Sequence, residues 1–157
     1  MNKEKTIETI ARGVVVKGGR LLLCHTKGKR NTYLPGGHID FGERAQDALE
    51  RELREELGVK SRAGRFIGVV EHCYRRGGKL QCEINLVFDV KAKKLKPGKK
   101  PISREDYIEF FWIPLAEIGR SALEPRVLRD VIGDWIRNKH GGAGWASTVG
   151  SVHGKSF

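Results

Sequence analysis

The residues with the clearest chemistry lie between Gly37 and Val59, in the run GHIDFGERAQDALERELREELGV. Glu52, Glu55 and Glu56 stand there at i, i+3 and i+4. On a helix each residue turns about 100°, so this spacing gathers three carboxylates into one narrow sector. Like charges held so close repel one another unless a cation sits among them. Hard divalent ions such as Mg²⁺ take oxygen ligands and keep waters that a phosphate can displace, which makes the trio a candidate metal site. The plain alternative is a solvated charged face, the usual meaning of a helix rich in Glu and Arg. Arg51 and Arg54 fall in other sectors and relieve the repulsion only in part.

The helix that must carry these acids is legible from its apolar stripe. Ala45, Ala48, Leu49, Leu53 and Leu57 recur at three- and four-residue steps. Asp40 with Glu43 predicts a capping-box start, and Gly58 predicts a left-handed stop. A Pro35-Gly36-Gly37 turn stands just in front of it.

The spacing of the whole segment adds to this reading. From Gly37 a five-residue gap leads to Glu43, and a seven-residue gap leads to Arg51-Glu52-Leu53, followed by Glu55-Glu56-Leu57-Gly58-Val59. At every defined position this resembles the Nudix box, the signature of the Nudix hydrolases. The resemblance extends loosely over residues 9–138 and is specific only in the box. It implies an α/β protein, a mixed β-sheet sandwiched between helices (α/β/α), with one Nudix domain over residues 1–138. It implies hydrolysis of the pyrophosphate bond of a nucleoside diphosphate linked to another group: a nucleotide sugar, ADP-ribose, a dinucleoside polyphosphate or a nucleoside triphosphate. The cofactor implied is Mg²⁺ or Mn²⁺.

Carried over by position, Glu52, Glu55 and Glu56 are the metal-binding acids, and Glu52 is preferred as acceptor of the water proton. The Gly37 carbonyl adds a ligand, and Arg51 holds the carboxylates through charge-assisted hydrogen bonds. Glu43 is open to two readings, a supporting acid near the metal or a helix-cap partner. An acid outside the box often assists in this family; Glu83, Glu105, Asp106 and Glu109 are the candidates, each with a surface acid as its bland alternative. His25, Lys27, Lys29 and Arg30 precede the box and are candidates for substrate phosphate. Tyr33, Tyr74, Phe66 and Phe110 are candidates for stacking a base, against ordinary packing. No proline lies between Val59 and Lys96, where the family's ADP-ribose hydrolases tend to carry one; Tyr74 lies near the position linked with dinucleoside polyphosphate hydrolases.

Composition bounds the rest. At 157 residues one domain is expected. No apolar run is long enough to span a membrane, and the polar N-terminus lacks a signal-peptide pattern, so a cytoplasmic protein is expected. The net charge of +11 is concentrated in KAKKLKPGKK at residues 91–100, which would steer phosphorylated ligands toward the surface. A small nucleotide is the expected partner. Triphosphorylated RNA, a binding-only module and a homodimer remain alternatives.

Strands are predicted at 10–17 and 20–25 around Gly18-Gly19, at 65–75 and 79–90 around Gly77-Gly78, and at 108–113. In the fourth of these, apolar residues alternate with Glu83, Asn85 and Asp89, predicting burial on one side. Pro114 opens a short turn or helix, and a last helix spans 125–138 with Pro125 in its first turn. Counting outward from Gly77-Gly78 sets Cys73 opposite Cys82, in a reducing compartment as thiols. Residues 139–157, rich in Gly, Ser and Thr, read as a flexible tail in which Trp145 docks on this or a neighbouring chain.

Overall fold

A computed structural model describes residues 5–150. Among the described residues eight strands form two sheets. The larger has the order β4-β1-β6-β5-β8, from β1 (Ile7–Val14), β4 (Gly36–His38), β5 (Arg62–Arg76), β6 (Lys79–Lys91) and β8 (Gly144–Ser147). The β1–β6 and β5–β8 pairs are parallel and the others antiparallel, so this sheet is mixed. The smaller sheet is antiparallel, in the order β2-β3-β7, from β2 (Val16–Lys17), β3 (Arg20–Thr26) and β7 (Ile108–Pro114). Helix α1 (Ala45–Leu57) covers one side of the β-layer; α2 (Leu128–Arg137) and a 3₁₀ turn at Leu115–Arg120 cover the other.

Two cores follow from this layering. Ala48, Leu49, Leu53 and Leu57 of α1 are buried against Ala11, Val15, Leu22, Phe88 and Phe110. On the far side Leu128 and Ile132 of α2 close over Leu21, Leu23, Val70 and Val87. Complete burial of a Leu or Ile contributes about 1.5–3 kcal/mol, so the stripe on α1 anchors the helix on its own.

Several expectations are corrected. Residues 10–17 do not run unbroken into the Gly18-Gly19 turn; the chain breaks at Val15, β1 joins the larger sheet, and only Val16 and Lys17 pair with β3. Burial of β6 is two-sided at its centre, because Asn85 and Val87 face the α2 core while Leu86 and Phe88 face α1. Helix α2 begins at Leu128, three residues beyond Pro125. Helix α1 begins at Ala45 after Arg44, so Asp40 and Glu43 form a turn ahead of it instead of its cap. Gly58, at φ 63°, stops α1 as expected. Cys73 does face Cys82, with Cα atoms 4.2 Å apart, and the two are joined in a disulfide instead of remaining thiols.

The stretch after 138 is likewise no simple tail, although residues 151–157 lie outside those described. Gly144–Ser147 adds to the edge of β5 in parallel. The indole of Trp135 lies over this seam: a Cβ on either Gly68 or Gly144 would collide with its ring. Ala146 is buried there, whereas Trp145, the residue expected to dock, is 66% exposed. A strand held by two glycines and an alanine has no apolar alternation to announce it. Gly144→Ala should therefore overpack the seam and cost about 1–3 kcal/mol in thermal unfolding; an unchanged melting temperature would contradict this packing.

Candidate active site

Helix α1 turns its apolar stripe inward, and this leaves Glu52, Glu55 and Glu56 along its other edge. Gly37 on β4 lies directly against them, since a Cβ there would strike the Glu52 carboxylate. The preceding Gly36, at φ 140°, presses on β1 so closely that a Cβ would meet the Ala11 carbonyl. Arg12 on β1 then donates to the carbonyls of Leu34 and Gly36, at 3.1 and 3.5 Å. The loop that approaches the acids is thus pinned from both sides.

Arg51 departs from the helical-sector reading, because its long side chain curls back into the cluster. It donates to Glu43 at 2.9 and 3.0 Å, to Glu52 at 2.9 Å, to Glu55 at 3.4 Å and to the His38 carbonyl at 3.1 Å. These bonds hold the Glu43 carboxyl down to about 2, with a further contribution from the Asp40 backbone N–H, and raise the guanidinium above its ordinary value. Glu43 is therefore a support for Arg51 and closes the turn ahead of α1, accepting from the Asp40 N–H at 3.1 Å.

Glu56 is the exception in the trio. Burial, followed by the charge of Glu52, pushes its carboxyl up to about 7, with smaller contributions of the same sign from Glu105 and Glu55. Its Oε2 is buried without a hydrogen-bond partner. Glu55 is more than half exposed and Glu52 mostly covered. Among the described residues no three ligating side chains converge into a ready-made cage for an ion. Arg51 draws Glu52 and Glu55 to itself, and Glu56 faces inward alone.

The acids outside the box are sorted by these contacts. Glu105 is the one whose charge reaches Glu56, because Arg104 donates its backbone N–H to the Glu56 carbonyl at 2.7 Å and fixes the loop on the end of α1. Glu109 is held by Lys100 at 3.2 Å and by His25 Nε2 at 3.1 Å, which together lower its carboxyl. His25 is further occupied by the Lys29 carbonyl at 2.9 Å. Glu83 accepts from Asn85 on the α2 side of the larger sheet. Arg30, Lys27 and Lys29 are exposed. Phe110 is completely buried in the α1 core and is unavailable for stacking, and Phe66 rests against Phe88. Tyr33 lies under the Arg12 guanidinium, and Tyr74 stacks on His72.

Sequence reasoning missed Arg12, Tyr107 and His72. Arg12 sits in an apolar strand and had only its charge as a signal. Tyr107 is exposed beside Glu105, Glu56 and Glu52, whose charges, after burial, raise its hydroxyl.

A NUDIX domain model matches residues 8–133. The chain belongs to the Nudix family. An ADP-ribose pyrophosphatase from Methanocaldococcus jannaschii is 28% identical over 134 residues, 82% of this chain and 73% of that protein. The nucleoside triphosphatase NudI from Escherichia fergusonii is 42% identical over 57 residues, and the match spans 40% of its length and 33% of this chain. The crystal structure of MutT protein from Methanosarcina mazei Go1 superposes with a TM-score of 0.67 at 22% identity, over 89% of this chain and 100% of that one. The Nudix box is thus the polar edge of α1 with the Gly37 loop against it.

The donor chemistry suits a hard cation: carboxylates packed against a bare glycine, one of them with a buried oxygen without a partner. A carboxyl raised in the fold favours the folded state below its unfolded value near 4.5, and that contribution is lost as pH rises through about 7. Without metal, Glu56→Gln should therefore stabilise the protein at pH 8 and have little effect at pH 5. Equal melting shifts at both pH values would contradict the buried-acid geometry.

Proposed function

We propose that this chain hydrolyses the phosphoanhydride of a small nucleoside diphosphate derivative, with the polar edge of α1 as its catalytic face. The observation that carries this reading is Glu56, a half-buried acid with one buried, unpartnered oxygen beside Glu52 and Glu105. Such an arrangement is costly for a helix that only has to pack, and useful to one that receives a cation.

Glu52, Glu55, Glu56 and the Gly37 carbonyl would hold Mg²⁺ or Mn²⁺. When bound, the ion supplies neutralisation of phosphate charge and a more acidic water. Arg51 keeps Glu52 and Glu55 oriented, and Glu43 keeps Arg51 in place. Glu52 takes the proton of the attacking water. Glu105 is the preferred acid outside the box, since Glu109 is tied to Lys100 and His25. Water adds to one phosphorus, the bridging P–O bond breaks, and two phosphorylated products leave. ADP-ribose is the first substrate to try, because the relative matched over most of its length is named for it. Nucleotide sugars, dinucleoside polyphosphates and nucleoside triphosphates follow. The proposed compartment is the cytoplasm, where such nucleotides are made and where reduction would open the Cys73–Cys82 bridge. No helix among the described residues is long and apolar enough to cross a membrane.

A chromatographic screen for the two phosphorylated products, run over these compounds with Mg²⁺, tests the proposal: turnover of at least one is expected, and turnover of none overturns it. Glu56→Gln should lower that turnover by roughly a hundredfold or more with the fold intact; an unchanged rate would remove Glu56 from the site.

One observation favours a second reading, triphosphorylated RNA. Lys17 Nζ donates to the carbonyls of Ala92, Lys93 and Leu95, and Ala92 and Leu95 are buried. The basic loop is thereby fixed with Lys91, Lys93, Lys94 and Lys96 outward. Charge reversal at Lys93 and Lys94 should weaken RNA binding more than nucleotide binding, because counterion release grows with phosphate contacts. Equal weakening of both would exclude RNA.

A further inference from the structure

Helix α1 covers only part of its side of the larger sheet. Ala11, Phe88 and Val90 lie beneath it, whereas toward the tip of the β5–β6 hairpin the same face opens to solvent. Register shows which residues share that face. Val69 stands opposite Leu86, Glu71 opposite Ile84 and Cys73 opposite Cys82, with Ile7 beside Cys82 and Trp145 beside Val69. Side chains alternate along a strand, and Val70 and Ala146 enter the α2 core, so Val69 and Trp145 stand on the other face.

This open half is apolar. Ile7 is 64% exposed, Trp145 66%, and Phe66 and Leu80 39% each, while Val69 and Ile84 are half-buried. Large apolar side chains gathered on one exposed face mark a surface that meets another molecule. The chain carries 30 Lys and Arg against 19 Asp and Glu, so two copies repel over most of their surfaces. Between Val69 and Arg75 this face of β5 bears one acid, Glu71, and one base, Arg75 itself. Glu71 accepts from Ser147 Oγ through one oxygen, and Arg75 donates to the Gly78 carbonyl through Nη1 at 3.3 Å, which leaves each with atoms for a further partner.

We propose that this face is the interface of a homodimer, with a second copy of the chain as its occupant. A two-fold axis along the Cys73–Cys82 row lays β5 antiparallel over its copy. Arg75 of each chain then faces Glu71 of the other, and Leu80 faces Ile84, because each pair lies two residues either side of the axis. Facing sheets pack about 10 Å apart, a span that an arginine and a glutamate close from opposite sides. The same charge pair is thus made twice, where a net charge of +11 otherwise drives the copies apart. An unrelated partner would not require the acid and the base to sit at equal distances from one row. The interface is independent of the reaction proposed for α1.

Sedimentation equilibrium of the full chain at rising concentration tests this. The wild type should approach twice the 17.6 kDa chain mass. Trp145→Glu and Arg75→Glu, both at exposed positions, should each weaken the dimer about tenfold or more. Adding Glu71→Arg to Arg75→Glu restores opposite charges across the axis and should recover most of that loss. A monomer at every concentration overturns the proposal and leaves the face to a different partner. So does a dimer that neither single variant weakens, or a double variant no tighter than Arg75→Glu alone.

Discussion

A carboxylate enclosed by protein and by other carboxylates is the constraint around which this chain is arranged. Glu56 is half-buried beside Glu52, and its Oε2 is one of four buried side-chain atoms left without a partner among the described residues. Removing water from a charged group is expensive, and placing like charges nearby compounds it. The chain answers with Arg51, whose guanidinium absorbs Glu43, Glu52 and part of Glu55, and leaves Glu56 only the partial compensation of Arg12. Perturbed acids of this kind cluster at functional sites, which is the ground for proposing a cation here.

The rest of the architecture makes that arrangement rigid. Four buried side chains of α1 fix its rotation, so the acidic edge cannot turn away from β4. Gly36 and Gly37 allow the loop to approach, and Arg12 clamps it from below. Arg104 seals the C-terminal end of the helix, where exposed carbonyls favour a basic residue, and delivers Glu105 beside Glu56. Each device acts on backbone position, which is what a site made of short acidic side chains requires.

How much of this was legible in the sequence follows the range of the interactions. The box helix, its inward stripe, its stop at Gly58 and the two glycine-centred turns are local, and periodicity shows them. The pairing of Cys73 with Cys82 also followed from counting along a hairpin. What stayed hidden depends on contacts distant in sequence. Arg12 and Asn85 are 73 residues apart, and nothing local shows that they meet. Strand β8 is held by the fit of Trp135 over Gly68 and Gly144, a packing relation without any apolar alternation. Helical sectors locate Cβ atoms, whereas a guanidinium reaches well beyond its own sector, so Arg51 holds the carboxylates as the box resemblance implies and the sector count alone does not show.

Proton release reports most directly whether the raised carboxyl of Glu56 receives the proposed cation. Mg²⁺ binding measured by calorimetry at pH 7, in buffers of differing ionisation enthalpy, should displace about half a proton per ion bound, because ligands must deprotonate to bind. The same titration on Glu56→Gln should show weaker binding and no displaced proton. Mg²⁺ binding without proton release in the wild type, or with equal release in the variant, would contradict the account.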